Sequence, residues 1–144
     1  MPKTLSAIAF GAMAIGLVAL YYLHALFGRH PLAIAVQIGA VLLMISARLT
    51  FGRRSFHATA NPTEGGLVQT GPYAYIRHPI YAAAIYIAWA GALDHFSWKT
   101  VACAVLVTAG GFIRMFLEER LLVARYPEYG SYMARVSRVI PFVY

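Results

Sequence analysis

Four candidate spans, three of them apolar runs near the length of a bilayer crossing, leave this 144-residue chain very few architectures. They run over residues 5–27, 32–51, 73–93 and 98–117. A helical crossing takes roughly 20 mainly apolar residues. Only 12% of the residues are charged and 60% are hydrophobic, whereas soluble domains carry about 25% charged residues. Much of the surface is therefore expected to face lipid. The predicted fold is all-α: a polytopic membrane helical bundle of about four transmembrane helices, followed by a cytosolic amphipathic helical segment over 118–144. Length allows a single domain, 1–144, and there is no internal repeat or low-complexity segment.

Local signals bound these helices. The first run follows Lys3, as a signal peptide would, but it is long enough to cross and ends in Tyr21, Tyr22, His24 and Phe27. These suit an interfacial anchor better than a cleavage site. Gly28-Arg29-His30-Pro31 is a tight connection, and Pro31 fits a first helical turn, where its missing N–H goes unneeded. The first two spans are thus expected to form an antiparallel hairpin. Between Gly52 and Gly71 the chain turns polar, with Arg53, Arg54, His57, Asn61, Pro62, Gly65 and Gly66, and reads as a loop outside the membrane. The run Ile80–Leu93 is short for a span and reaches bilayer length only if its helix begins near Tyr73 and kinks at Pro79. A kink frees a backbone carbonyl that protein or water must rescue, which points to a cavity. Ser97 is a candidate N-cap for the fourth span, and Gly110-Gly111 within it suits close helix packing. After Glu118, charges return among Leu121, Leu122, Tyr126, Met133 and Val136, an amphipathic pattern broken near Pro127.

Charge orients the bundle. The net charge is +7, and the basic residues cluster between apolar runs, which suits lipid headgroups rather than nucleic acid. Four spans place both termini on one side, together with Lys3, Arg48, Arg53, Arg54, Arg77, Arg114, Arg120, Arg125, Arg135 and Arg138. Arg29 and Lys99 lie opposite, so the positive-inside rule makes the richer side cytosolic. The expected location is a prokaryotic cytoplasmic membrane, with both termini and the site in the cytosol. The single Cys103 lies in an apolar run and excludes an intramolecular disulfide or a Cys-based metal site.

Two constellations carry chemistry. Gly71-Pro72-Tyr73-Ala74-Tyr75-Ile76-Arg77-His78-Pro79-Ile80-Tyr81 packs a turn, a guanidinium, an imidazole and three phenols at the start of a membrane helix. Arg77 offers a fork of donors for a carboxylate or phosphate, and His78 donates or accepts near neutral pH. Arg and Tyr also serve as ordinary interfacial anchors. The second is Glu118-Glu119, at the end of the fourth span, where a helix C-terminal dipole disfavours acids. In the bland reading Glu118 pairs with Arg114 and Glu119 is solvated. An i,i+4 pair contributes only about 0.2–0.5 kcal/mol, weak reason to place two acids at a membrane boundary. Together these residues supply what a charged, polar cofactor needs: carboxylates for hydroxyls or an ammonium, Arg and His for a carboxylate. Tyrosines and apolar walls can take an aromatic ring and shelter a sulfonium. There is no phosphate-binding loop, metal-ligand spacing or Ser/His/Asp arrangement, and His24, His30, His57 and His95 are scattered over both sides.

The run Gly71-Pro72-Tyr73 with Arg77-His78-Pro79-Ile80-Tyr81 resembles the Arg-His-Pro-x-Tyr signature of the isoprenylcysteine carboxyl methyltransferase family and its phospholipid methyltransferase relatives. Downstream, Glu118-Glu119, Leu122, Tyr126-Pro127, Tyr129, Tyr132 and Arg138-Val139-Ile140-Pro141 match as well, so the resemblance covers about residues 63–144. It implies S-adenosylmethionine as cofactor, no metal, and a lipid or lipophilic small-molecule acceptor arriving from the bilayer. Tyr73, Arg77, His78, Pro79, Tyr81, Glu118 and Glu119 are the implied cofactor residues. Tyr129, Tyr132 and Arg138 would line or close the site. Arg138 would orient a carboxylate acceptor, while Glu119 or His78 would serve as base for an amine. Two other classes fit a small helical membrane protein: a four-helix transporter, and a non-catalytic interaction protein. The middle portions of the spans carry no acid or base, which counts against transport.

Overall fold

In lipid, backbone N–H and C=O groups must be satisfied within the protein, and helices satisfy them locally. The structure, a computed structural model, describes residues 2–52 and 66–143. Much of the polar loop, with Arg53, Arg54, His57, Asn61, Pro62 and Gly65, lies outside the described residues. The element order is α1 (Pro2–Tyr22), α2 (Pro31–Phe51), a 3-10 turn (Gly71–Ala74), α3 (Pro79–Asp94), α4 (Trp98–Arg125) and a short α5 (Tyr129–Met133). Extended pairing among the described residues is limited to one bridge, between Ile76 and Ser137. The expected all-α membrane bundle is what forms, with α1, α2 and α4 each long and apolar enough to cross a bilayer.

Local chemistry explains the boundaries. His30 caps α2, with Pro31 in its first turn. Ser97 caps α4 through a reciprocal box with Thr100. Three expectations are corrected. α3 begins at Pro79 rather than near Tyr73, and residues 71–74 form a separate turn whose Gly71 has a φ of 57°. Pro79 therefore starts a helix instead of kinking one, since in the first turn its ring displaces no hydrogen bond. At 16 residues α3 is about 24 Å long, shorter than the roughly 30 Å hydrocarbon core, so the fourth full-length crossing is not reached by this helix. α4 runs on past Leu117 to Arg125, which leaves Glu118 and Glu119 inside the helix and clear of its last-turn dipole. Beyond Pro127, only Tyr129–Met133 is helical; the expected amphipathic helix is otherwise a series of turns.

α1 lies antiparallel on α4, α4 on α3, and α3 on α2. A Cβ on Gly110 would stand 2.6 Å from the Ala9 carbonyl oxygen, and one on Gly16 2.9 Å from that of Cys103. The missing side chains let the α1 and α4 backbones approach closely, as small residues do between membrane helices. Ala33, Ala40 and Ala47 form the buried stripe of α2. Only 11% of the α2 span is buried, so this helix is the outer, lipid-facing member. Polar side chains tie the layer together. Gln37 donates to the Leu26 carbonyl at 2.7 Å and to that of Ile87 at 3.2 Å, and Trp89 Nε1 donates to Thr108 Oγ1 at 2.9 Å. At the end remote from Arg77, the Asp94 carboxylate accepts from Arg29 N at 2.6 Å and His30 N at 3.2 Å. Cys103 is half-buried on α4 and remains a packing residue.

Candidate active site

The stretch between the 3-10 turn and α3 cannot be helical up to Pro79, because the residue before a proline is pushed towards extended backbone. That extended piece finds a partner in the C-terminal segment. Arg77 N donates to the Ser137 carbonyl at 2.8 Å and His78 N to the Arg138 carbonyl at 3.2 Å. The chain after α5 is thereby strapped across the start of α3, which carries Arg138 to the end of α4. Tyr132 supports the strap by donating to the Tyr73 carbonyl at 2.6 Å. Tyr129 and Tyr132 pack ring to ring at 5.6 Å, both buried, beside Leu67, Leu122 and Tyr126. Burial pushes both phenols up, Tyr132 to about 12, so each hydroxyl keeps its proton.

Glu119 is the hub of what the strap encloses. It is 4% exposed, which removes the reading of a solvated acid. Its carboxylate takes Arg138 Nη2 at 2.7 Å and Nε at 3.2 Å, His78 Nε2 at 3.0 Å, and faces Arg77 Nη1 at 3.4 Å. A carboxylate only accepts, so the proton of His78 sits on Nε2, and Nδ1 points towards Glu118 Oε2 at 3.9 Å. The neighbouring acid turns elsewhere. Glu118 accepts from the Tyr81 phenol and from Arg114 Nη2 at 3.3 Å. The plain Arg114–Glu118 pair is present, but it belongs to something larger. Arg114 is 2% exposed, donates through Nε to Tyr81 OH at 2.7 Å and through Nη1 to the Ser6 carbonyl at 3.3 Å, and lies over the rings of Phe10 and Tyr81. It connects α1 to the site, a role that goes beyond the pairing with Glu118 expected from sequence. The signal for it was an arginine embedded in an apolar run.

The structure thus gathers Arg77, His78 and Arg138 around Glu119, and Tyr81 beside Glu118, in two adjoining clusters that meet at His78. Tyr73 meets the strap, its carbonyl accepting from Tyr132, and Pro79 contributes the helix start it enforces. Arg77 is the residue with donors to spare. Its side chain is 8% exposed, yet Nε has no hydrogen-bond partner among the described residues and Nη1 meets Glu119 only as an ion pair. Buried donors are normally satisfied, so this guanidinium suits an additional anionic group. Among the described residues no cluster of His, Cys, Asp or Glu suits a metal ion.

Residues 29–129 match the model of a family described as phospholipid methyltransferase. The matched stretch takes in α2, α3 and α4, with Arg77-His78, Glu118-Glu119 and Tyr129, and leaves α1, Tyr132 and Arg138 outside. Comparisons with curated proteins and with solved structures give no match.

Proposed function

The chain belongs to the phospholipid methyltransferase family, and we propose that it transfers methyl from S-adenosylmethionine to a lipophilic acceptor at the cytosolic face of a membrane. Family membership makes it a membrane methyltransferase. One observation carries the finer reading: a buried ionic network with an undersatisfied guanidinium stands where the short α3 meets α4. The residues fit the cofactor. Arg77 would hold its carboxylate, and Glu118, at 23% side-chain exposure the more accessible of the two acids, would take its ammonium or ribose hydroxyls. Glu119 would act as the hub that keeps Arg77, His78 and Arg138 in place. The bound cofactor supplies a methyl group on a sulfonium sulfur, already electrophilic.

What remains for the protein is alignment and exclusion of water. Tyr129, Tyr132 and the strap carrying Arg138 close the site from outside the bilayer. Methyl transfer from the bound cofactor would leave a neutral thioether, so no side chain here is needed to protonate a leaving group. A carboxylate acceptor has no proton to lose, and Arg138 would orient it. An amine acceptor sheds one, for which Glu119 or His78 would serve as base. Lys3, Arg48, Arg77, Arg114, Arg120, Arg125, Arg135 and Arg138 share one end of the antiparallel layer, against Arg29 and Lys99 at the other. That asymmetry supports a cytosolic site.

Detergent-solubilised protein is expected to bind S-adenosylmethionine saturably, with binding lost in His78→Ala and Glu119→Ala. Unchanged binding in both variants overturns the site assignment. Incubation with labelled S-adenosylmethionine and total membrane extract then identifies the acceptor by the fraction that acquires label.

A further inference from the structure

We infer that the stretch Val139–Val143, which follows the strap, re-enters the membrane and seats the side chains of Ile140, Phe142 and Val143 among lipid acyl chains. Depth is the first support. The apolar part of α4 centres near Thr108, which receives the Trp89 indole, so these two residues mark the middle of the slab. Tyr86 lies one turn from Trp89 on the side of the site. Its hydroxyl donates to the Val139 carbonyl at 2.6 Å. One turn, the reach of the phenol and the hydrogen bond put that carbonyl at most about 14 Å from the midplane, inside the roughly 15 Å half-thickness of the hydrocarbon. Val139 is itself buried in the main core cluster with Ala82, Ile85 and Ala88.

The backbone is partly provided for: the Val139 carbonyl has Tyr86, the Ile140 carbonyl accepts from Val143 N at 3.1 Å, and Pro141 has no N–H to satisfy, which lowers the cost of placing these peptide groups in hydrocarbon. Side chains complete the case. Arg135 and Arg138 come just before, and residues 139–144 carry no charged side chain. Ile140, Phe142 and Val143 are all exposed, Phe142 at 78%. In water this would be an apolar patch at the tip of a turn; at this depth it continues the lipid-facing surface of the spans. The stretch would then anchor the strap, and with it Arg138, to the bilayer.

The test places a nitroxide at Phe142→Cys in a Cys103→Ala background, with the protein reconstituted in phosphatidylcholine vesicles. Exposed Ser131→Cys serves as the reference. The Phe142 label is expected to collide with dissolved oxygen more than with a water-soluble nickel chelate, and the Ser131 label the reverse. A Phe142 label as accessible to the chelate as the Ser131 label overturns the inference. Should Phe142→Cys fail to fold, Val143→Cys gives the same decision. The readout needs neither cofactor nor turnover, so it stands apart from the methyltransferase reading.

Discussion

Replacing Glu119 with glutamine keeps the shape of the side chain and removes the charge that the Arg77 and Arg138 guanidinium groups and the His78 Nε2–H share. Removing one partner of a buried ion pair costs about 3–5 kcal/mol, because the remaining charge stays buried. The three groups respond differently. Arg138 has a side chain 38% exposed and recovers water. The His78 Nε2–H can still donate to the amide oxygen. Arg77, at 8% exposure, can do neither, so one obligate buried cation is left without its counter-charge. The expected loss is therefore at the low end, about 3 kcal/mol, or roughly two decades in the folding equilibrium. Arg138→Ala makes the contrast: Glu119 keeps Arg77 and His78, and a half-exposed pair is worth only about 1 kcal/mol. Reversible denaturation of both variants in mixed micelles measures the difference. A loss below about 1 kcal/mol for Glu119→Gln, the value of a surface pair, or the opposite ranking of the two variants, refutes Glu119 as the buried hub.

Gly110→Val should drive α1 and α4 apart, since its Cβ would meet the Ala9 carbonyl at 2.6 Å; thermal unfolding is expected to show a cost of about 1–3 kcal/mol, whereas Gly39→Ala, with nothing within 4 Å of the new Cβ, should be neutral or stabilising. Burial raises the Tyr132 phenol from the ordinary 10 to about 12, so its contribution is complete below pH 10 and lost as pH rises towards 12. Tyr132→Phe should flatten that alkaline loss in a pH series of unfolding curves. At neutral pH it should cost about 1 kcal/mol for the bond to the Tyr73 carbonyl.

Elements set by local chemistry could be read directly. Pro31, Ser97 and Gly110 act through their own backbone or their immediate neighbours, and each does what its residue type dictates. Pro79 shows the limit. A proline behind polar residues fits a kink or a helix start equally well. The choice falls to Ser137 and Arg138, whose carbonyls take the N–H groups of Arg77 and His78 some 60 residues away in sequence. The length of α4 was missed for a related reason. Its last turns carry charges that mark a membrane boundary, and a helix can continue past such a boundary into water.

Residue order alone makes the apolar stretches helices and collects acids, an imidazole and guanidinium groups at one end of them. The physical reason is that lipid leaves a backbone nowhere else to bond. Tertiary structure decided which charge meets which. Adjacent positions on a helix point about 100° apart, so Glu119 turns to His78, 41 residues away, and to Arg138, 19 away, while Glu118 turns to Tyr81 and Arg114. No local rule distinguishes two neighbouring glutamates; the packing of α4 between α1 and α3, under the C-terminal strap, does.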